Sequence, residues 1–268
     1  VFDGHGEHGH LVSGHLAEGV KRRVLPCVAR ESGANEEEVN RIRRQCREEP
    51  GELLRRSILE AESDILKLES IPTLLSGSTA CVVLVRGEDI TIANVGDSRA
   101  VLIEAAEQGT ALRPRVVTED HKPTNRSETA RILIRGGELR AISYEDGIDG
   151  PMRVWAKGED APGLAMSRSV GDEMGKRAGV ISEATILQTK LQPNDAFILV
   201  GSDGLFEFVN DDECCAGILT AFAEKGPEKG LGEALQELQA EAAARYLERE
   251  GSIDDTSIIL AEIRRTET

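Results

Sequence analysis

Apolar residues near the start of the chain recur at every fourth place, as Val12, Leu16, Val20 and Val24. That spacing lines one face of a helix spanning residues 10 to 25. Leu54, Ile58, Ala61, Ile65 and Leu68 follow a 4-3-4-3 spacing, and Leu231, Leu235, Leu238 and Ala242 resemble it. Both runs predict long amphipathic helices, each needing a surface to cover. A further helix is expected to begin near Ser127. Between these, Thr79 to Val85, Ile90 to Val95 and Ala100 to Glu104 read as strands separated by turns at Gly87 and Gly96. Three short strands in succession predict an antiparallel meander. Ala196 to Val200 is continuously apolar, as in a strand buried on both faces, and Ile258 to Ile263 closes the series. Residues 145–163 carry four Gly, two Pro and Trp155 without clear periodicity, which predicts a long functional loop or a small lid. Helices before, between and after strand blocks imply sheets covered by helices. No repeat or Pro/Ser-rich linker divides the chain, so one domain over residues 1–268 is expected.

Composition narrows the function. A formal charge of −16 repels nucleic-acid phosphates and anionic lipid, and only eight aromatic residues leave few stacking platforms, so nucleic-acid binding is excluded. With 40% hydrophobic residues the chain is globular rather than disordered. Cys27, Cys46, Cys81, Cys214 and Cys215 form no C-x-x-C pair and lie in no glycine elbow. Reduced thiols in the cytoplasm or nucleus are therefore expected, and cysteine nucleophilic chemistry is not. No apolar run approaches the ~20 residues of a membrane span, and no targeting segment is visible.

Three aspartates stand where an apolar strand meets a turn. Asp3 follows Val1 and Phe2 and enters Gly4-His5-Gly6; Asp203 follows Ile198, Leu199 and Val200 and precedes Gly204; Asp254 precedes the last strand. Carboxylates converging at strand ends repel unless a cation neutralises them, and hard oxygen ligands select magnesium, manganese or calcium. A pair of such ions would activate water and clamp a phosphate. Glycine allows close backbone approach, so the Gly4 carbonyl is a further candidate ligand. Ordinary turn chemistry also explains each Asp-Gly pair, and both readings stand at this point. His5, beside the cluster, is a candidate general acid. A rival reading takes His5, His8, His10 and His15 as zinc ligands, although their spacing fits no compact pattern. Asp97-Ser98-Arg99 sits in a turn where Arg99 could pair with Asp97 to hold a hairpin, and Asp120 could shape the approach to Pro123.

Taken together these residues resemble the metal-dependent serine/threonine protein phosphatases of type 2C. The resemblance runs in order through Phe2-Asp3-Gly4-His5-Gly6, Ser76-Gly77-Ser78-Thr79-Ala80, Asn94-Val95-Gly96-Asp97-Ser98-Arg99, Asp120-His121-Lys122-Pro123 and Gly136-Gly137. It continues through Gly163-Leu164-Ala165-Met166-Ser167-Arg168-Ser169, Gly171-Asp172, Ser202-Asp203-Gly204 and Gly251-Ser252-Ile253-Asp254-Asp255. It implies an α+β fold, an αββα sandwich of two antiparallel sheets flanked by helices, with a two-metal site at one end. It further implies that Asp3 bridges two manganese or magnesium ions, that the Gly4 carbonyl binds one and that Asp203 and Asp254 bind the other. Asp97 would lie near a third, weaker ion. A metal-bound water would attack the phosphorus of a phosphoserine or phosphothreonine in a protein substrate directly, with His5 protonating the leaving oxygen. Residues 137–163 correspond to the family's variable flap, and Arg153-Val154-Trp155 with Ser167-Arg168 look closest to its plant-like and protist-like branches.

Two departures stand out. Leu205, Phe206 and Glu207 occupy positions where the family usually has an apolar residue, Trp and Asp. The family also has strands ahead of Asp3 that supply an acidic metal ligand and a phosphate-binding arginine, so the resemblance implies an N-terminally incomplete domain. The expected protein is a monomer acting on phosphoproteins; the alternative is a catalytically silent, phosphatase-like binding module.

Overall fold

The computed structural model describes residues 1–27, 35–106, 109–143 and 149–265. Two antiparallel sheets stack face to face. The first has the order β11 (Thr185–Lys190), β4 (Asp89–Val95), β3 (Ala80–Arg86). The opening residues extend it, since the Thr79 and Cys81 N–H groups donate to the Asp3 and Val1 carbonyls at 2.8 and 2.9 Å. The second has the order β13 (Ile258–Glu262), β12 (Asp195–Gly201), β5 (Arg99–Ala105), β6 (Leu112–Val117). Pro114 lies in β6, an edge strand, where a missing N–H breaks no ladder bond.

Strand alternation divides the core. Cys81, Ile90, Ile92, Ala100, Leu102, Ile198 and Val200 fill the space between the sheets. Ala80, Leu84, Ala93 and Val95 face outward to α1 (Gly9–Val24), α2 (Glu36–Glu48) and α3 (Pro50–Ile65). On the other side Val101, Ile103, Phe197 and Leu199 meet α7 (Asp211–Glu250). The four layers are helix, sheet, sheet, helix, as the resemblance implied.

Local chemistry explains these helices. Val12, Leu16, Val20 and Val24 are buried as their spacing predicts, and Lys21, Arg22 and Arg23 meet the negative end of the α1 dipole. Pro50 opens α3, where its missing N–H costs nothing. Leu54 and Ile58 are fully buried, and truncating either to Ala would cost about 2–5 kcal/mol. Helix α7 breaks at Gly226, whose φ of 73° precedes Pro227, and its two halves fold back together: Arg245 reaches Glu213 at 2.8 Å. The Asn210–Glu213 capping box starts it.

The structure corrects three expectations. Strands β3 and β4 pair, but the turn at residues 96–98 carries the chain across to the second sheet, so β5 joins β12 and no three-stranded meander forms. The segment read as a loop holds β8 (Asp149–Trp155), paired between β7 (Glu138–Ser143) and β9 (Pro162–Leu164); residues 144–148 lie outside the described residues. Leu68 falls beyond the end of α3 and is exposed rather than buried. The helix expected near Ser127 is α4 (Arg126–Ile134).

Candidate active site

Four carboxylates meet at one end of the sandwich because each is tied to a different strand end. Asp3 is fastened on both sides to Thr79: its N–H donates to Thr79 Oγ1 at 3.0 Å, and its carbonyl accepts from the Thr79 N–H. Thr79 Oγ1 also lies 2.7 Å from Ser98 Oγ, which locks Asp3 to the crossover turn carrying Asp97. Gly4 and His5 form β1 (Gly4–His5), antiparallel to β2 (Gly77–Ser78). The first turn of α1 presses so close that a Cβ on Gly4 would lie 2.3 Å from the Gly9 carbonyl oxygen, so only glycine fits. Asp203 opens α6 (Asp203–Phe206) at the end of β12. Ser202 and Ser257 exchange hydrogen bonds at 3.0 and 3.1 Å, which brings the Asp254 segment alongside.

The electrostatics are unbalanced. Burial, outweighing the hydrogen-bonding contact with Asp203, raises the Asp3 pKa, with repulsion from Asp254 and Asp97 adding to it. Burial followed by the Asp97 and Asp3 charges raises that of Asp203. Asp97, 1% exposed, accepts from Lys122 Nζ at 2.7 Å on Oδ2, while its buried Oδ1 has no partner. Lys122 also lies 3.4 Å from Glu207. Burial disfavours the Lys122 ammonium, but Asp97 and Glu207 prevail and its pKa rises.

Among the described residues, no three His, Cys, Asp or Glu side chains are drawn into a finished ligand shell. The donor set nevertheless fits a hard divalent cation. It is all oxygen, its carboxylates repel one another, and one buried lone-pair-bearing atom faces no donor. The sequence-expected positions Asp3, Gly4, Asp97, Asp203 and Asp254 thus occupy one neighbourhood.

A cleft of about 530 Å³ adjoins them, lined by Lys122, Met152, Arg153, Asp203, Tyr246 and Asp254 among others. Strand β8 supplies one wall. Trp155 braces β8 against β7: its Nε1 donates to the Arg140 carbonyl at 2.9 Å and the Arg140 guanidinium stacks 4.4 Å from its ring. At the opposite wall Tyr246 Oη donates to the Asp203 carbonyl at 3.2 Å.

His5 turns towards Asp172, with Nε2 only 2.6 Å from Oδ2. Burial disfavours its imidazolium, yet the Asp172 hydrogen bond and charge, with Asp97 and Asp3 behind, raise the pKa. The other histidines do not join it. His8 precedes α1, and the exposed His15 meets the Leu11 carbonyl at 3.0 Å. Arg99 does not pair with Asp97. It forks onto Asp120 at 3.0 and 2.8 Å and reaches Asp211 at 2.9 Å, with Phe206 stacked 4.7 Å away. The departure at Phe206 therefore sits under a structural arginine, and that at Glu207 faces the lysine holding Asp97. Cys46, Cys81, Cys214 and Cys215 are free and buried.

Sequence reasoning missed the His5–Asp172 contact and the Lys122–Asp97 pair. Both partners stood in quoted motifs, but separations of 167 and 25 residues leave no periodic trace.

Comparison with known proteins places the chain in a family. The family described as Protein phosphatase 2C matches residues 18–250. The Arabidopsis thaliana protein called probable protein phosphatase 2C 61 is 33% identical over 235 residues, covering 87% of this chain and 67% of that protein. Probable protein phosphatase 2C 72 of the same plant is 32% identical, covering 100% and 76%. A crystal structure of serine-threonine phosphatase 2C from Toxoplasma gondii aligns with a TM-score of 0.69 at 18% identity over 98% of this chain and 83% of that one, which speaks for the fold. Family model and relatives agree, and the chain belongs to the protein phosphatase 2C family.

Proposed function

We propose that this chain, as a single catalytic domain over residues 1–268 with its flap at about 137–163, hydrolyses phosphoserine and phosphothreonine in proteins with manganese or magnesium. The observation that carries the proposal is the close approach of the half-buried Asp3 and Asp203 carboxylates, with Asp97 and Asp254 adding like charge, at the foot of an open cleft. Asp3, the Gly4 carbonyl, Asp203 and Asp254 would hold two ions and Asp97 a third. Bound there, the ions would activate water and clamp the phosphate oxygens.

The protein's own groups do the rest. The cleft admits an extended phosphorylated segment beside the flap, and Lys122 keeps Asp97 aimed at the centre. As a water oxygen bonds to phosphorus and the bond to the serine or threonine oxygen breaks, His5 delivers its proton to that departing alkoxide, which a poor leaving group requires. No cysteine takes part: burial pushes the Cys81, Cys214 and Cys215 thiols up to about 12. Among the described residues no helix is long and apolar enough to cross a membrane, which suits action on proteins of the cytoplasm or nucleus.

The test is manganese-dependent release of phosphate from a phosphothreonine peptide, by this chain and by one extended upstream of Val1, each with its Asp203→Ala variant. Turnover abolished by the substitution supports the reading. Activity surviving it would overturn the reading, and metal binding without turnover in both lengths would favour a silent binding module.

A further inference from the structure

Three short strands meet beside the carboxylate cluster in the order β1, β2, β10 (Val170–Gly171). In their register His5 and Gly171 both stand opposite Gly77, which occupies the middle strand. Gly77 contributes no side chain, and a Cβ there would lie 2.1 Å from Asp172 Oδ2. The glycine is therefore the gap across which the His5 ring and the Asp172 carboxylate reach each other.

Asp172 is built for this contact. Its side chain is wholly buried, Oδ2 engages His5 Nε2 at 2.6 Å, and Oδ1 is buried with no partner. Among the described residues it alone, glycine apart, has a positive φ, of 46°. A purely structural carboxylate at full burial would have both oxygens satisfied and a relaxed backbone. Its backbone is held on both sides: its N–H donates to the Ser76 carbonyl at 3.0 Å, and its carbonyl accepts from the Lys176 N–H at 2.9 Å. Gly171 N–H is gripped by Glu62 Oε1 at 3.0 Å, fastening the turn to α3.

We propose that Asp172 is a positioning residue that fixes the His5 ring through Nε2, so that Nδ1 is the nitrogen presented to the leaving oxygen. This rests on the reading of His5 as the general acid. A carboxylate in contact with one ring nitrogen sets the ring's orientation and leaves the other nitrogen for the substrate, the arrangement by which an orienting acid serves a working histidine. Asp172 itself touches neither substrate nor metal in this account.

Two readouts test it on the full chain. In metal-free protein labelled with ¹⁵N-histidine, and assigned with a His5→Gln variant, the His5 Nε2 proton should be shifted downfield and slow to exchange. In Asp172→Asn it should move upfield or vanish while the other histidine signals stay. Absence of such a proton in the native chain, or its persistence unchanged in the variant, would overturn the proposal. In the second readout, with manganese, Asp172→Asn should lower kcat on a phosphothreonine peptide by about tenfold or more with KM little changed. On p-nitrophenyl phosphate, whose phenolate departs without a proton, the loss should stay within about threefold. Equal losses on both substrates would make Asp172 merely structural and overturn the proposal. A native chain inert on both substrates sinks the hydrolase reading instead, and the proton resonance still decides whether Asp172 orients His5.

Discussion

Two acidic centres of the molecule differ in how their charge is answered. Glu128, on α4, is buried and surrounded by donors: Ser167 Oγ at 2.6 Å, Arg131 at 2.7 Å and Arg168 at 2.7 and 3.1 Å. Burial would raise its pKa, but the two arginines and the serine overcome that and hold it well below the ordinary carboxylate range. At the Asp3–Asp203 centre burial and like charges act together, Lys122 is the nearby cation, and both pKa values rise. One carboxylate is compensated by the protein's own donors; the other group has mostly like charge for neighbours. Compensation of charge, rather than abundance of acid, separates scaffold from site in a chain this acidic.

Breaking each centre should give opposite results. Asp203→Asn should cost at least about 10³-fold in metal-dependent turnover on a phosphothreonine peptide, equivalent to about 4 kcal/mol. Glu128→Gln should instead act on stability, lowering the free energy of urea unfolding by about 3 kcal/mol, because two guanidinium groups lose their carboxylate. A smaller or absent loss would mean that the arginines find other partners.

The pH dependence sharpens the contrast. His121 accepts from the Gly96 N–H on Nδ1 at 3.1 Å and meets Thr185 Oγ1 through Nε2 at 2.8 Å, so the fold holds the neutral ring. Burial, then repulsion from Arg168, depresses its pKa from 6.5 to about 4. Below 6.5 the unfolded chain takes up a proton that the native state refuses, so stability is full above that pH and lost as pH falls towards 4. The loss should be on the order of 3 kcal/mol in acid unfolding curves and should disappear in His121→Asn. The raised Asp3 and Asp203 groups contribute with the opposite sign: their stability is full in acid and fades as pH rises through their folded pKa values. The smallest effect follows from this. Metal-free Asp203→Asn should be more stable than the native chain by about 1 kcal/mol at neutral pH, measured by urea unfolding, because folding no longer has to hold protonated a carboxyl that is ionised in the unfolded chain.

The sequence was most legible where burial imposes a period. Val12 to Val24 and Leu54 to Ile65 kept their predicted faces, since each covers the first sheet. Strand β6, with Pro114, and β11, without clean alternation and ending in Lys190, carry weaker signals because edge strands bury little. The crossover after Gly96 looked like a hairpin because a turn's residues do not say which sheet receives the next strand. The aspartates at strand ends were legible as candidates, and their motif order gave the family. Their compensation was not: that Arg99 pairs with Asp120 and Asp211, Lys122 with Asp97 and Asp172 with His5 are facts of three-dimensional contact.

The central claim is that the Asp3–Asp203 centre is completed by a divalent cation. Its most direct test is thermal unfolding of the native chain and of Asp203→Asn, each without metal and with millimolar manganese. A ligand that binds only the folded state raises the midpoint, so manganese should raise that of the native chain by several degrees and that of the variant far less. No rise in the native chain, or the same rise in both, would contradict the account.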